Sequence, residues 1–474
     1  MPRDIDAIGV GVGTAGPVGR QHGLTRAALT AHGFEGKVGQ TLTVPSASGP
    51  TVVVVGVGDP RKANANDLRK AAAAFTRAVS RHKRVATNLV DVVSLDARAA
   101  GQAVAEGVLL ASYRYIELKS NKANGATTDV TLVVSTARAK AAEAVIERGR
   151  VTGGAATLAR DLANTPPAYL TARILADRAV VIARESGLGV EVFDNDKLAV
   201  MNCGGLLGVN KGSTEPARMV KLTYEPAGAV GHLVMVGKGV TYDSGGISLK
   251  PSDPMHAQMK MDMTGAASVL AAMSALKALR CRTKVTGYLM CTDNRPSGSA
   301  MAMGDVLTFR NGKTAEIFNT DAEGRLILAD GLSLGTELKP DAMVDIATLT
   351  GACLGALGPK MAGVLGTNQS FIDQIRGAAE KSDEPVWQLP LERDYRKFLD
   401  SNIADMKNVG GPYGGAITAA LFLAEFTGDV PWAHLDIAGP MNSDSDDGWL
   451  SRGATGYGTR LLINLALGFN KPKK

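Results

Sequence analysis

The 474-residue sequence is poor in the residues that staple or metallate small domains. Its four cysteines, Cys203, Cys281, Cys291 and Cys353, form no CxxC pair and no dense framework. Reduced thiols are therefore expected rather than disulfides. Only six histidines are present, scattered along the chain, and no HExxH helix occurs. Helix-borne zinc proteases and Ser-His-Asp hydrolases thereby lose their anchor residues. His434, in His434-Leu435-Asp436, is expected to be a satisfied core or loop histidine. No segment reaches the roughly 18 uncharged apolar residues that a membrane span requires. The opening MPRDIDAIGVGVG has no charged-then-apolar leader with a small-residue cleavage site. A cytoplasmic protein without a membrane partner is the expectation.

What is present is ordinary globular composition: 45% hydrophobic, 21% charged, and 55 glycines concentrated in short loops after apolar runs. The net charge of +6 is unevenly spread. Residues 1–163 hold 21 Lys and Arg against 13 Asp and Glu, and the remainder holds 31 against 33. A basic front part could attract nucleic acid, with Arg77, Arg81, Lys83 and Arg84 as its one candidate patch. Such residues at a helix end more commonly serve as a solvated face.

Strand and helix signals alternate through the first 160 residues. Strands are expected at Ile5–Val12, Thr51–Val57, Val85–Val93 and Asp129–Ser135, and helices at Asn66–His82, Ala97–Leu118 and Lys140–Ala163. That order predicts an α/β domain with a largely parallel sheet. Pro166-Pro167 stops the last helix, which sets the expected domains at 1–163 and 164–474. Behind them, strands are expected at Val190–Phe193, Met219–Tyr224, His232–Val236, Lys284–Cys291, Ala315–Phe318 and Ala342–Ala347. Helices are expected at Leu170–Ser186, Gly265–Leu279, Ala416–Phe426 and Arg460–Leu467. The fold class is α/β with two domains, the larger one catalytic.

Gly11-Val12-Gly13-Thr14-Ala15-Gly16 fits GxGxxG after a strand, but Pro17 and the glycines beyond open no clear helix. A lone match of this kind is a weak dinucleotide signal. The informative stretch runs from Gly237 to Leu326. An apolar strand enters a loop carrying Lys238 and Asp243; Lys250 and Asp262 follow, then Asp321 and Glu323. In open α/β sheets, sites form at the carboxyl ends of strands. Four converging carboxylates would repel and raise one another's pKa values. Two divalent cations remove that cost, activate water and polarise carbonyls. Asp321 and Glu323, two apart, would point the same way if extended. Surface salt bridges with Lys238, Lys250 and Arg325 are the competing reading.

Asn319-Thr320-Asp321-Ala322-Glu323-Gly324-Arg325-Leu326 resembles, unbroken, the octapeptide of the leucyl aminopeptidase family. GKGVTYDSGGISLKP (residues 237–251), TLTGACLGALG (348–358), GGAITAALFL (414–423) and HLDIAG (434–439) resemble the same family. The resemblance covers roughly residues 160–465, and the front part resembles the family's macro-like N-terminal domain in element order. It implies a smaller macro-like α/β domain followed by a larger catalytic domain with a mixed central sheet flanked by helices.

The resemblance further implies two metal ions per subunit, Mn or Zn, with Mg or Co as further fits. Asp243 and Glu323 would bridge them, Lys238 and Asp262 would complete one site, and Asp321 the other. Lys250 and Arg325 match the catalytic pair, with Arg325 holding a bicarbonate as general base. Met259, Thr348, Gly351, Ala438 and Met441 match an apolar pocket for the first side chain. Short peptides with a free N-terminus would be the substrates, and a homohexamer the assembly. The sequence departs from the pattern in three places. Lys250 and Asp262 are one residue further apart, Met261 replaces an aromatic, and Ala302-Met303 replaces Arg-Pro. Two other readings stand beside this one: a DNA-binding or regulatory role of the basic front part, and a two-metal phosphoesterase, which the absence of a His-rich ligand set disfavours.

Overall fold

The computed structural model describes residues 4–16, 18, 24–47, 49–122, 127 and 129–473. The chain forms two compact units, Met1–Thr157 with Ser443–Arg452, and Leu158–Asn442 with Gly453–Lys474. The division falls inside the helix Thr136–Asn164, ahead of the proline pair. The return of Ser443–Arg452 to the first unit has no counterpart in a linear reading of elements.

The first unit holds the strands β1 (Ala7–Val12), β2 (Thr41–Val44), β3 (Thr51–Gly56), β4 (Arg84–Thr87) and β5 (Asp129–Leu132). Their order is β2-β3-β1-β4-β5. All neighbours run parallel except the edge strand β2, as the alternation of elements predicts. The expected strand Val85–Val93 stops at Thr87 for a local reason. Asn88 turns its side chain back to accept the Gly11 N–H, and Asp91 N–H closes a turn onto the Asn88 carbonyl. The apolar residues Leu89, Val90 and Val93 are buried as a packed loop instead.

Two sequence-level candidates in this unit are occupied by the chain itself. Arg26 donates to the carbonyls of Gly13 (2.8 Å) and Gly16 (3.1 Å). The glycine loop thus presents carbonyls to a cation, whereas a phosphate cradle presents N–H groups. Pro17 lies outside the described residues. Arg77 donates to Asp446 (2.6 Å) and to the carbonyls of Gly448 and Leu450. The basic patch therefore loses that member to an internal contact.

The interior of this unit includes a charged pair. Arg69 Nε donates to Glu106 Oε2 at 2.8 Å, and Glu106 Oε1 accepts from Gln102 (2.8 Å) and Thr152 (2.7 Å). Both partners are about 2% exposed.

The second unit contains β6 (Gly189–Phe193), β7 (Arg218–Tyr224), β8 (His232–Asp243), β9 (Lys284–Asn294), β10 (Val306–Thr308), β11 (Thr314–Glu316), β12 (Ala342–Ala347), β13 (Ala362–Gly366), β14 (Val386–Gln388), β15 (Met406–Lys407) and β16 (Trp432–Asp436). Eight of them form one mixed sheet in the order β14-β13-β16-β12-β8-β9-β7-β6, and β10-β11-β15 form a small second sheet. At the centre, β16, β12, β8 and β9 are mutually parallel. Strands covered on both faces read as continuous apolar runs, and β8 and β9 are buried along nearly their whole length.

β8 is longer than the expected His232–Val236. Gly237 does not end the strand; it admits a helix. A Cβ there would lie 2.6 Å from the Cα of Ala266, in the buried helix Thr264–Ala275. A second helix, Gly324–Glu337, has no sequence counterpart because Gly324 through Gly335 are all buried. A helix apolar all round shows no amphipathic period. Asp330 fixes this helix. Its carboxylate accepts the N–H groups of Leu206 and Arg310, both at 2.9 Å.

Removing one partner of a buried ion pair strands the other, at about 3–5 kcal/mol, while an apolar pair of similar volume is often neutral. Glu106→Ala is thus expected to lower the thermal midpoint sharply in calorimetry. The double change Arg69→Met with Glu106→Leu should recover most of that loss. Equal melting of wild type and Glu106→Ala would contradict this account.

Candidate metal centre

Four neighbouring parallel strands deliver polar groups at one edge of the central sheet. Asp243 closes β8, Asn294 closes β9, Thr348 follows β12 and Asp436 closes β16. This is the edge at which α/β sheets build sites. Asp262 arrives from the 3-10 turn Gln258–Met261, and Asp321 and Glu323 arrive at the start of the helix Gly324–Glu337.

The structure brings the four carboxylates and two lysines together. Lys238 Nζ lies 2.8 Å from both Asp262 Oδ2 and Glu323 Oε1. It also donates to the Thr348 carbonyl at 3.0 Å. Lys250 Nζ lies 2.8 Å from Asp243 Oδ2 and 2.6 Å from Asp321 Oδ1. Asp243, Asp321 and Glu323 each offer an oxygen within 4.8 Å of the others. Lys238, Asp243, Asp262 and Glu323 are all at most 3% exposed.

Asp321 and Glu323 converge for a different reason than the one expected. They are not in extended chain. Asp321 sits in a turn whose N–H donates to Asn319 Oδ1, and Glu323 has helical torsions (φ −78°, ψ −33°). The helix they introduce seats itself against Lys238 through glycine. A Cβ on Gly324 would lie 2.7 Å from Lys238 Cε, and one on Gly265 would meet the Ile346 carbonyl at 2.1 Å. The segment 251–259, one residue longer than the family pattern, includes the one-turn helix Pro254–Ala257, with His256 Nε2 3.0 Å from Tyr242 Oη. Lys250 still reaches both of its carboxylates.

Electrostatics shows what the cluster lacks. Burial pushes Glu323 up to about 8, and Asp243, Asp262 and Asp321 push the same way while Lys238 opposes them. Burial also raises Asp262, to about 6, and Asp321. Burial lowers Lys238, but Asp262, Glu323 and Asp243 outweigh it, so its ammonium is held firmly. Four carboxylates thus face two ammoniums in a pocket nearly closed to water. Glu323 Oε1 is met only by the Lys238 ammonium, and its buried Oε2 has no hydrogen-bond partner. A buried carboxylate oxygen left without a partner in an excess-negative set fits divalent cations. Oxygen ligands with one amine suit hard or borderline metals.

Supporting groups surround the cluster; Thr348 and Asp436 lie in motifs noted in the sequence, and Asn294 carried no sequence signal. Asn294 Nδ2 donates to Asp243 Oδ1 (2.9 Å) and to the Thr320 carbonyl (3.0 Å). Thr348 Oγ1 donates to Asp262 Oδ1 at 2.6 Å. Asp436 ties the loop after β12 to its own strand, accepting from Leu349 N–H, Thr350 Oγ1 and Ala438 N–H. Through it, the loop after β12 is tied to the loop after β16, while Thr348 itself meets Lys238 and Asp262. Met259 and Met441 are buried. Gly351 is exposed, and a Cβ there would meet open space. Arg325, in the first helical turn, donates from Nη1 to the Asn408 carbonyl (2.7 Å), and its buried Nε has no acceptor. Burial draws it down to about 10, against the pull of Glu323 and Asp436. A buried guanidinium with a spare donor fits a small anion. His434 is a core residue, as expected. It is 1% exposed, and its Nδ1 is 2.6 Å from Asp345.

Fold and cluster together define an α/β metalloenzyme. Comparison with known proteins makes the class specific. The model of the cytosol aminopeptidase family, catalytic domain, matches residues 157–463, and that of the family's N-terminal domain matches residues 19–122. A probable cytosol aminopeptidase of Streptomyces coelicolor is 41% identical over 98% of this chain and 95% of its own. One from Leifsonia xyli is 42% identical over 95% of this chain and 92% of its own. Among solved structures, the bottromycin maturation enzyme BotP in complex with Mn superposes with TM-score 0.89 at 38% identity, covering 97% of this chain and 98% of that one. The chain belongs to the cytosol aminopeptidase family, and it is a metal-dependent aminopeptidase. No helix among the described residues is long and apolar enough to cross a membrane.

A ligand that binds only the folded state at 100 times its Kd adds about 2.7 kcal/mol of stability. Saturating Mn is therefore expected to raise the melting temperature, and a chelator to reverse the rise. Glu323→Gln should leave the metal-free protein at least as stable while abolishing the rise. An unchanged Mn response in that variant would remove Glu323 from the cradle.

Proposed function

We propose that the chain is a two-metal exopeptidase that releases N-terminal residues, leucine and other apolar ones foremost, from short peptides. The carrying observation is the buried imbalance of Asp243, Asp262, Asp321 and Glu323 against Lys238 and Lys250. In this reading Asp243 and Glu323 hold both cations, Lys238 and Asp262 complete one site, and Asp321 completes the other. Bound there, Mn or Zn supplies an electrophile for the scissile carbonyl, a nucleophilic water near neutral pH and an anchor for the free α-amine.

The chain's own groups account for the rest. Lys238 Nζ, now an ammonium paired with Asp262 and Glu323, would have to give up its proton to act as a ligand, so metal binding would release a proton. The Thr348 carbonyl and hydroxyl keep that lysine and Asp262 in place meanwhile. Asn294 and the Gly245 N–H, which donates to Asp243 at 2.9 Å, aim the Asp243 carboxylate. Lys250, which now pairs with Asp243 and Asp321, would be released by cations bound to those carboxylates and would offer its ammonium to the charge that develops on the carbonyl oxygen. Preorganised charge of this kind acts most strongly in the transition state. Arg325 would hold bicarbonate, whose chemistry is that of a general base. Met259, Thr348, Gly351, Ala438 and Met441 form the pocket for the first side chain. An apolar pocket discriminates one methylene by only about 1–3 kcal/mol, so preference should be graded, not absolute.

Turnover of a leucyl anilide is expected to depend on Mn or Zn and to stop on chelation. Asp262→Ala should lose both metal and activity, and peptides with a blocked α-amine should not turn over. Lys250→Met should keep its metal content by elemental analysis while kcat falls about 10²–10³-fold, the effect of deleting one charge-stabilising donor. A Lys250→Met enzyme with wild-type kcat would take this residue out of the chemistry.

A further inference from the structure

Residues 251–259 join two parts of the reacting centre, with Lys250 on one side and the turn that carries Met259 and Asp262 on the other. They are also the stretch in which the sequence runs one residue longer than the family pattern. Surface loops are mobile unless fastened, and slack here is felt directly at Lys250. Residues 251–255 and Ala257 are exposed, and among residues 251–257 only His256 is partly buried.

The fastenings of this loop are few. Upstream of it, the Lys250 N–H donates to the Ser244 carbonyl at 2.9 Å. Within it, Asp253 caps the one-turn helix Pro254–Ala257 by accepting the His256 N–H at 2.9 Å, with Pro254 at the first helical position. That turn delivers His256 to Tyr242. Tyr242 Oη and His256 Nε2 are 3.0 Å apart, and the two rings are nearly parallel, at 22°. Among the described residues, no other side chain of residues 251–258 hydrogen-bonds to the rest of the chain.

Tyr242 is held ready for this contact. β8 shifts register against β9 between Val240 and Asp243, a bulge of the kind that re-aims side chains beside active sites. The Arg295 guanidinium lies over the Tyr242 ring, 4.5 Å from its centroid, and Arg295 Nε donates to Asp293 Oδ2 at 2.9 Å. A cation over an aromatic face steadies the ring. Tyr242 directly precedes Asp243, and Asp293 directly precedes Asn294, which aims Asp243. The clasp is therefore built on the two strand ends that carry the metal centre, and it reaches into the loop that leaves Lys250.

We propose that Tyr242 and His256 are positioning residues for Lys250. Their contact takes up the extra residue and, together with the Ser244 carbonyl, fastens the main chain on both sides of the lysine. Two fastenings direct the lysine stem once cations bound to Asp243 and Asp321 release its ammonium; one alone leaves it free to swing. Misplacing a charge-stabilising group slows the chemical step more than it weakens substrate binding. This rests on the role given to Lys250 above.

The test is a double-mutant cycle in kcat for leucyl anilide, with Mn content followed by elemental analysis. Tyr242→Phe keeps the ring under Arg295 and deletes only the hydroxyl. One hydrogen bond of this kind is worth about three- to tenfold, so kcat should fall by that factor while KM and Mn content hold. His256→Gln, which returns a polar group at similar reach, should retain most of the wild-type kcat, and His256→Leu should lose at least as much as Tyr242→Phe. In a Lys250→Met background, Tyr242→Phe should cost little further, because the group it positions is gone. An equal fold-loss in both backgrounds, loss of Mn from Tyr242→Phe, or wild-type kcat in both Tyr242→Phe and His256→Leu would overturn the proposal. Wild-type kcat in Lys250→Met itself would instead remove the reading on which it rests.

Discussion

Charge compensation in a nearly dry pocket governs this molecule. Asp243, Asp262, Asp321 and Glu323 are brought together by the ends of strands and the start of a helix, and only Lys238 and Lys250 stand against them. Burial, reinforced by the neighbouring carboxylates, pushes Glu323 up to about 8 and Asp262 up to about 6. The fold tolerates such a cluster because it is built to hold more positive charge than two lysines provide. The chemistry of a metal-dependent aminopeptidase follows from that deficit.

The geometry around the cluster is set by close backbone approach. Gly237 and Gly265 let the helix Thr264–Ala275 lie flush on β8 and β12, and Gly324 lets the following helix begin against the stem of Lys238. With a side chain at any of these positions, the carboxylates at the helix start would stand back from the lysine. Asn294, Thr348 and Asp436 add fixed hydrogen bonds to the same edge. Rigidity here comes from main-chain packing more than from the charged groups themselves.

How much of this was legible beforehand differs from residue to residue. The parallel character of the front sheet followed from the alternation of its elements, and the identity of the cluster followed from an unbroken octapeptide. The way Asp321 and Glu323 converge did not. A two-residue spacing suggested a strand, yet a turn and a helix start produce the same convergence by another route. The helix Gly324–Glu337 was hidden because a fully buried helix has no polar face to betray its period. Val85–Val93 looked like one strand because a packed apolar loop and a buried strand share a composition, and only the Asn88 side chain separates them. Asn294 was unreadable because an ordinary polar residue becomes a positioning group only through contacts distant in sequence.

The excursion of Ser443–Arg452 into the first unit bears on how the chain is made. Trp449, 5% exposed, packs in a small apolar cluster with Ala73, Leu110, Ala111 and Ala156. Arg77 is likewise satisfied by Asp446, Gly448 and Leu450. Domains generally mature in order as they leave the ribosome. Here the part translated first lacks an indole and several acceptors until residues 446–450 have been made. Completion of the front unit is thereby tied to synthesis through residue 450, so a product terminated before it would carry an unsealed hydrophobic notch.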